Sequence, residues 1–221
     1  MQQMWTEIDN YIDAHLIPED PILLQTLKNT EDKGFPDHLA VAPNQGMLLQ
    51  MLIQMNNCKR VLELGTFAAY STMWLARALP KDGYILTIEG RDTHAALAQE
   101  NIDYAKLPQT IELKVGRAAD ILKALPDDFE PFDFIFIDAD KQSYPEYLEL
   151  SLNLSHSGTL IFLDNVIRAG DIINPENHKP SIEGIRDMFK AMQNHPKILS
   201  CTALQTVGSK GHDGFALAIV K

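Results

Sequence analysis

The chain of 221 residues predicts an α/β fold: a mostly parallel sheet covered by helices on both faces, preceded by helices and closed by an antiparallel hairpin. Three observations carry this expectation. From residue 59 onward, short apolar runs of strand length alternate with helical stretches. Strands joined by helical crossovers form βαβ units, which pair in parallel and bury both faces of the sheet. The last two apolar runs, ILSCTALQT and GFALAIV, flank only the turn-rich VGSKGHD and so read as an antiparallel hairpin.

The elements follow in order. Residues 3–16 place Met4, Trp5, Ile8, Tyr11, Ile12 and Leu16 at helical spacing, on one apolar face. Residues 20–32 allow a second helix, ended by Gly34 and Pro36. Pro43 opens a third through MLLQMLIQM, which is apolar almost all round and is expected to be buried. Strands are expected over 59–64, 84–89, 111–115, 132–138 and 158–164. Helices are expected between and after them, over 71–79, 93–105, 118–125, 144–154 and 181–195. The segment 166–181, VIRAGDIINPENHKPS, is long and polar without a clear pattern, and is expected to be a loop walling a pocket with the N-terminal helices. The whole reads as one domain, residues 1–57 covering a pocket in the core formed by 58–221.

Composition narrows the function. A formal net charge of −11 argues against a nucleic-acid partner, which needs clustered Lys and Arg. No apolar run approaches the ~20 residues of a membrane span. The start, MQQMWTEIDN, has neither a basic nor an apolar signal segment, and Cys58 and Cys201 are the only cysteines. A reduced, cytoplasmic chain with no membrane partner is the expectation.

In parallel sheets, ligands bind at the carboxyl ends of the strands, near the point where strand order reverses. The residues just after the strands are acid-rich: Glu63 and Gly65, Glu89, Gly116 to Ala118, Asp138 with Lys141, and Asp164 with Asn165. The first loop, ELGTFAAYS, holds one glycine where a dinucleotide loop carries three, and Glu63 beside it would repel phosphate. Glu89 ends the second strand, where an acid commonly accepts from ribose hydroxyls. Together they point to a nucleoside with positive charge and no phosphate; S-adenosylmethionine fits. A plain glycine turn with solvated glutamates is the alternative.

Asp138 ends one strand, and Asp164 and Asn165 end the next. If those strands are neighbours, their ends lie one spacing apart, ~4.8 Å. Three converging oxygen side chains make a hard-cation site for Mg²⁺, Mn²⁺ or Ca²⁺. Helix capping is the bland alternative. The seven histidines show no metal-ligand spacing and read as surface or loop residues.

ELGTFAAYS, IDADKQSYPEY and LDNVIRAG, in that order and spacing, resemble the cation-dependent O-methyltransferases typified by caffeoyl-CoA and catechol O-methyltransferases. The resemblance extends to VAPNQGMLL and the closing GHDGFALAIV. It implies the doubly wound, Rossmann-like fold with a seven-stranded sheet and an antiparallel C-terminal strand. It also implies a homodimer, a small-molecule aromatic acceptor, S-adenosylmethionine as methyl donor, and a divalent cation, usually Mg²⁺. By resemblance, Asp138, Asp164 and Asn165 are the metal ligands and Lys141 is the catalytic lysine. Val41, Glu63, Gly65, Thr66, Ser71, Glu89 and Ala118 stand around the donor, with Asp138 facing both donor and metal. Ala69 departs from the family, where glycine is frequent. Arg168 departs too, because plant members often carry tryptophan in that region.

The chemistry gives Lys141 a role. A phenol of ordinary pKa near ~10 is mostly neutral at pH 7. A cation holding two adjacent hydroxyls would acidify them, and Lys141 could take the proton. Asp140 is expected to support Asp138, Lys141 or both from behind. A solvated lysine at a helix start is the alternative reading of Lys141.

Overall fold

A computed structural model describes residues 1–221, except for the side chain of Asp37. Three helices come first: α1 (Gln2–Leu16), α2 (Pro21–Asp32) and α3 (Pro43–Met55). Strands and helices then alternate: β1 (Arg60–Leu64), α4 (Tyr70–Ala78), β2 (Tyr84–Glu89), α5 (Asp92–Ala105), β3 (Thr110–Val115), α6 (Ala118–Lys123), β4 (Phe132–Ile137), α7 (Tyr144–Asn153) and β5 (Ser155–Asp164). Helix α8 (Pro180–Met192) leads into the hairpin β6 (Ile198–Gly208) and β7 (Gly211–Val220).

The seven strands form one sheet in the order β3-β2-β1-β4-β5-β7-β6. Pairing is parallel from β3 through β5, and β7 runs antiparallel to both its neighbours. The order reverses at β1, whose two neighbours are β2 and β4. Alternate residues of the central strands feed separate cores. Leu62, Leu64, Ile135 and Ile137 meet α6, α7 and α8 on one face. Val61, Ile85, Phe134 and Phe136 meet α3 and α4 on the other. Each such side chain, fully buried, contributes about 1.5–3 kcal/mol, so the strand register is strongly held.

Local chemistry explains the element ends. Asp20 caps α2, its Oδ1 accepting from the N–H of Ile22 at 2.8 Å and of Leu23 at 3.1 Å. Proline stands in the first turn of α2, α3, α7 and α8, where its missing N–H costs nothing.

Helix α1 forms where its apolar period places it; Trp5 and Ile12 of that face are half-buried, Met4, Ile8, Tyr11 and Leu16 are exposed, and Asp9 is the helix's buried residue. Three expectations are corrected. Helix α3 buries Gly46, Leu49 and Ile53 but leaves Met51 and Met55 exposed, so it packs on one side only. Helix α8 stops at Met192, because Gln193 is extended and Asn194 takes φ 58° to turn the chain into β6. The segment 166–181 contains a 3₁₀ turn over Arg168–Ile173 that no apolar period announces. Among the described residues, no helix is long and apolar enough to cross a membrane.

Candidate active site

The turn after β1 packs against the end of β4, its neighbour at the reversal of strand order. The N–H of Asp138 donates to the Leu64 carbonyl at 2.8 Å, and the N–H of Gly65 donates to the Ile88 carbonyl at 2.9 Å. Gly65 takes φ +98°, and a Cβ there would run into the carbonyl oxygen of Asp138. Glycine is therefore required by both conformation and space. Ala69 follows at φ 62°, a left-handed residue directly before α4. Glycine would adopt that conformation without strain, and alanine holds it at some cost.

A cavity of about 550 Å³ opens here, lined by Val41, Gly65, Thr66, Ser71, Glu89, Ala118 and Asp138. Glu89 is buried, with Oε2 accepting from the N–H of Phe67 at 2.8 Å and Oε1 from that of Arg91 at 3.0 Å. Two backbone donors thus fix its carboxylate and leave lone pairs for a ligand's hydroxyls. His94, expected at the surface, lines this cavity instead. It lies edge-on to Phe35 and Phe67 and 3.4 Å from Glu89 Oε1.

Glu63 is the exception among the expected donor residues. It is fully buried and does not line the cavity. Its Oε1 accepts from Ser71 at 2.6 Å, and its Oε2 from Thr72 at 2.5 Å and Thr87 at 2.7 Å. Thr87 gives its proton to Glu63, so Thr66, 2.6 Å away, must donate to Thr87. Burial pushes the Glu63 carboxyl up to about 7, against the pull of the three hydroxyls. Glu63 therefore orients two cavity-lining hydroxyls, Ser71 directly and Thr66 through Thr87. Its charge acts on the cavity from behind.

The second cluster stands at the ends of β4 and β5. Ile137 is in register with Leu163, so Asp138 and Asp164 follow at the same level on adjacent strands. Asp164 is buried. Its Oδ2 accepts from Gln45 Nε2 at 2.7 Å and its Oδ1 from the N–H of Asn165 at 2.8 Å. Burial, and then the charge of Asp138, push its carboxyl up to about 7. Lys141 Nζ donates to Asp138 Oδ1 at 2.7 Å and to the Tyr144 hydroxyl at 2.7 Å. Tyr144 is fully buried, and burial followed by Asp138 raises its pKa well above the ordinary value, so its hydroxyl stays neutral.

Asp138, Asp164 and Asn165 border a second cavity, of about 690 Å³. The two cavities share Leu39, Ala40, Val41 and Asp138, so two ligands bound in them would meet at Asp138. Among the described residues, no three His, Cys, Asp or Glu side chains gather as a metal cage. The set here is two carboxylates and an amide, all oxygen donors. A carboxylate raised by burial and then by its neighbour's charge is the setting that a divalent cation would relieve. The residues therefore fit a hard cation, and offer no sulfur or imidazole for zinc.

Asp140 makes no direct hydrogen bond to Lys141 or Asp138 and acts instead through the backbone turn that carries Lys141. Its Oδ1 accepts from Tyr147 and its Oδ2 from Ser143, both at 2.5 Å, and it holds the 3₁₀ turn Lys141–Ser143 in place. From the segment 166–181, Arg168 alone lines the second cavity. Gln45 and Tyr144 escaped sequence reasoning as site residues, although both lie in the stretches that carry the resemblance, VAPNQGMLL and IDADKQSYPEY. The one available signal for Tyr144 was its i+3 spacing from Lys141.

The sequence profile of the O-methyltransferase family matches residues 14–218. The chain is 46% identical over 220 residues to a catechol O-methyltransferase of Niastella koreensis, covering 99% of each chain. It is 38% identical over 215 residues to a catechol O-methyltransferase of Mycobacterium tuberculosis, covering 97% of this chain and 96% of the relative. The crystal structure of an O-methyltransferase from Bacillus cereus in complex with S-adenosylhomocysteine superimposes with a TM-score of 0.96 at 44% identity, covering 100% of both chains.

Proposed function

The chain belongs to the O-methyltransferase family, and on that premise we propose that it transfers the methyl group of S-adenosylmethionine to one hydroxyl of a vicinal diphenol, with a divalent cation held by Asp138, Asp164 and Asn165. The observation that carries this reading is the meeting of two cavities at Asp138, with Lys141 Nζ on its carboxylate. Methyl transfer needs an oxyanion aimed at a sulfonium methyl, and adjoining pockets supply that alignment.

In this reading the first cavity takes the donor. Glu89 accepts from its ribose hydroxyls. Thr66 and Ser71, oriented by Glu63, supply hydroxyls near its polar end. Gly65 lets the donor approach the backbone closely. The second cavity takes the diphenol. A cation bound at Asp138, Asp164 and Asn165 would hold the two hydroxyl oxygens and lower their pKa. Lys141 takes the proton, steadied by Tyr144. Gln45 keeps Asp164 oriented. The names of the two curated relatives support a diphenol acceptor. The apolar residues that α1 and α3 leave exposed support a homodimer.

The test is transfer of labelled methyl from S-adenosylmethionine to a panel of diphenols and their monophenol counterparts, with Mg²⁺ and with a chelator. Diphenols alone should accept the label, and chelation should stop it. Asp138→Ala should lose activity at ordinary Mg²⁺ and recover part of it in excess. Equal labelling of monophenols, or full activity in chelator, would sink the diphenol-and-cation reading.

A further inference from the structure

Given that the second cavity holds the methyl acceptor, we infer that Arg168 reads an anionic group on it, so that the preferred substrate is a diphenol bearing a carboxylate.

The backbone gives the first reason. Just after β5 and through the first residues of the 3₁₀ segment, Asn165, Arg168, Ala169 and Gly170 all take positive φ, at 54°, 53°, 55° and 89°. Arginine and alanine are strained in this region, and glycine is not. Such strain persists only where the surroundings over-determine it. Here Asp213 does so. Its Oδ1 accepts from the N–H groups of Ile167 at 3.0 Å, Arg168 at 2.9 Å and Gly214 at 3.0 Å. One carboxylate oxygen pins the bend to β7 and fixes where the Arg168 side chain starts.

The guanidinium gives the second. It lines the acceptor cavity, and its side chain is 43% exposed. Among the described residues its one ion pair is a long 3.7 Å contact from Nη1 to Asp213 Oδ2. A guanidinium carries five N–H donors in a fork that matches a carboxylate. The acids around it are already engaged. Asp213 Oδ1 holds three backbone N–H groups. Asp9 accepts from Ser209 N–H at 2.6 Å and Asn44 Nδ2 at 3.2 Å. Asp138 and Asp164 face the proposed cation. The guanidinium thus brings to this cavity a planar, cationic set of donors that one long ion pair leaves largely open.

Cavity size narrows the class. About 690 Å³ suits a free phenolic acid. A coenzyme-sized thioester would stand largely outside it.

The test uses three acceptors that share one diphenol ring: caffeate, methyl caffeate and dopamine. They report on an anion, a neutral ester and a cation. Steady-state kinetics are measured on the full chain with saturating S-adenosylmethionine and Mg²⁺. The wild type should favour caffeate over methyl caffeate by about tenfold in kcat/KM, a charge-assisted hydrogen-bond effect expressed in KM. Arg168→Ala should bring that ratio close to one. Arg168→Glu should invert the preference, placing dopamine above caffeate. Melting temperature and S-adenosylhomocysteine affinity of each variant show that the fold and donor site are intact. A wild-type ratio near one overturns the inference and leaves the methyltransferase reading standing, as does a ratio that survives in Arg168→Ala. If no diphenol is methylated by the wild type, the acceptor reading itself fails and the inference falls with it.

Discussion

Lys141 Nζ donates to the hydroxyl of Tyr144 at 2.7 Å, and that hydroxyl lies 2.8 Å from the backbone carbonyl of Asp164, to which it donates. The lysine is thereby anchored to the ends of both acid-bearing strands. Lys141→Ala should lower kcat by ~10²-fold if the lysine takes the proton. Raising the pH toward the ordinary phenol pKa of ~10 should relieve part of the loss, because the acceptor then ionises unaided. Tyr144→Phe should cost kcat about fivefold, ~1 kcal/mol, while donor affinity holds. Turnover of both variants across pH checks this. A Tyr144→Phe enzyme as fast as wild type would reduce the contact to packing.

Gly65→Ala should be severe. The added methyl meets the Asp138 carbonyl oxygen, and the backbone sits at φ +98°. Relieving the clash means moving the end of β4 away from β1, which also displaces the Asp138 carboxylate. A loss of stability on the order of 2–3 kcal/mol is expected, with donor binding lost. Chemical denaturation together with S-adenosylhomocysteine titration would reveal it. Ordinary stability and binding would mean that the two strand ends are further apart than described.

For the donor, S-adenosylhomocysteine at ~100 times its Kd should stabilise the fold by about 2.7 kcal/mol, whereas NAD should not. Glu89→Ala removes a carboxylate already aligned by two backbone N–H groups, and should weaken donor binding by about tenfold or more. Thermal-shift titrations compare the two. Stabilisation by NAD instead would point to a different nucleotide.

Glu63 makes stability depend on pH. Its carboxyl rises from 4.5 to about 7 on folding, mainly through burial. A raised folded pKa contributes stability that is fully present below the unfolded value and is lost as pH climbs through the folded one. The wild type should therefore lose on the order of 2–3 kcal/mol between about pH 4.5 and 7 that Glu63→Gln does not lose. Denaturant midpoints of both proteins across that range decide it. Parallel curves would mean that the Glu63 proton does not change on folding.

The α/β class is legible in the amino-acid order alone, because an apolar period of two or of 3.6 reports which side of an element is buried. That order also placed the acids at the carboxyl ends of strands, where parallel sheets bind ligands. Asp138 and Asp164 could be paired as soon as their strands were taken as neighbours. Periodicity is local, however, and cannot say what covers a face or what stands behind a side chain. Packing alone set the order β3-β2-β1-β4-β5-β7-β6, and with it the approach of the Gly65 turn to Asp138. Glu63 looked like a residue facing the donor, but packing buried it under Ser71, Thr72 and Thr87. Gln45 reaches Asp164 across 119 positions of chain, a contact no spacing rule can encode. The left-handed run at Arg168 was hidden for a related reason. Its backbone is held by Asp213, 45 residues later in the chain, a contact that local spacing does not encode.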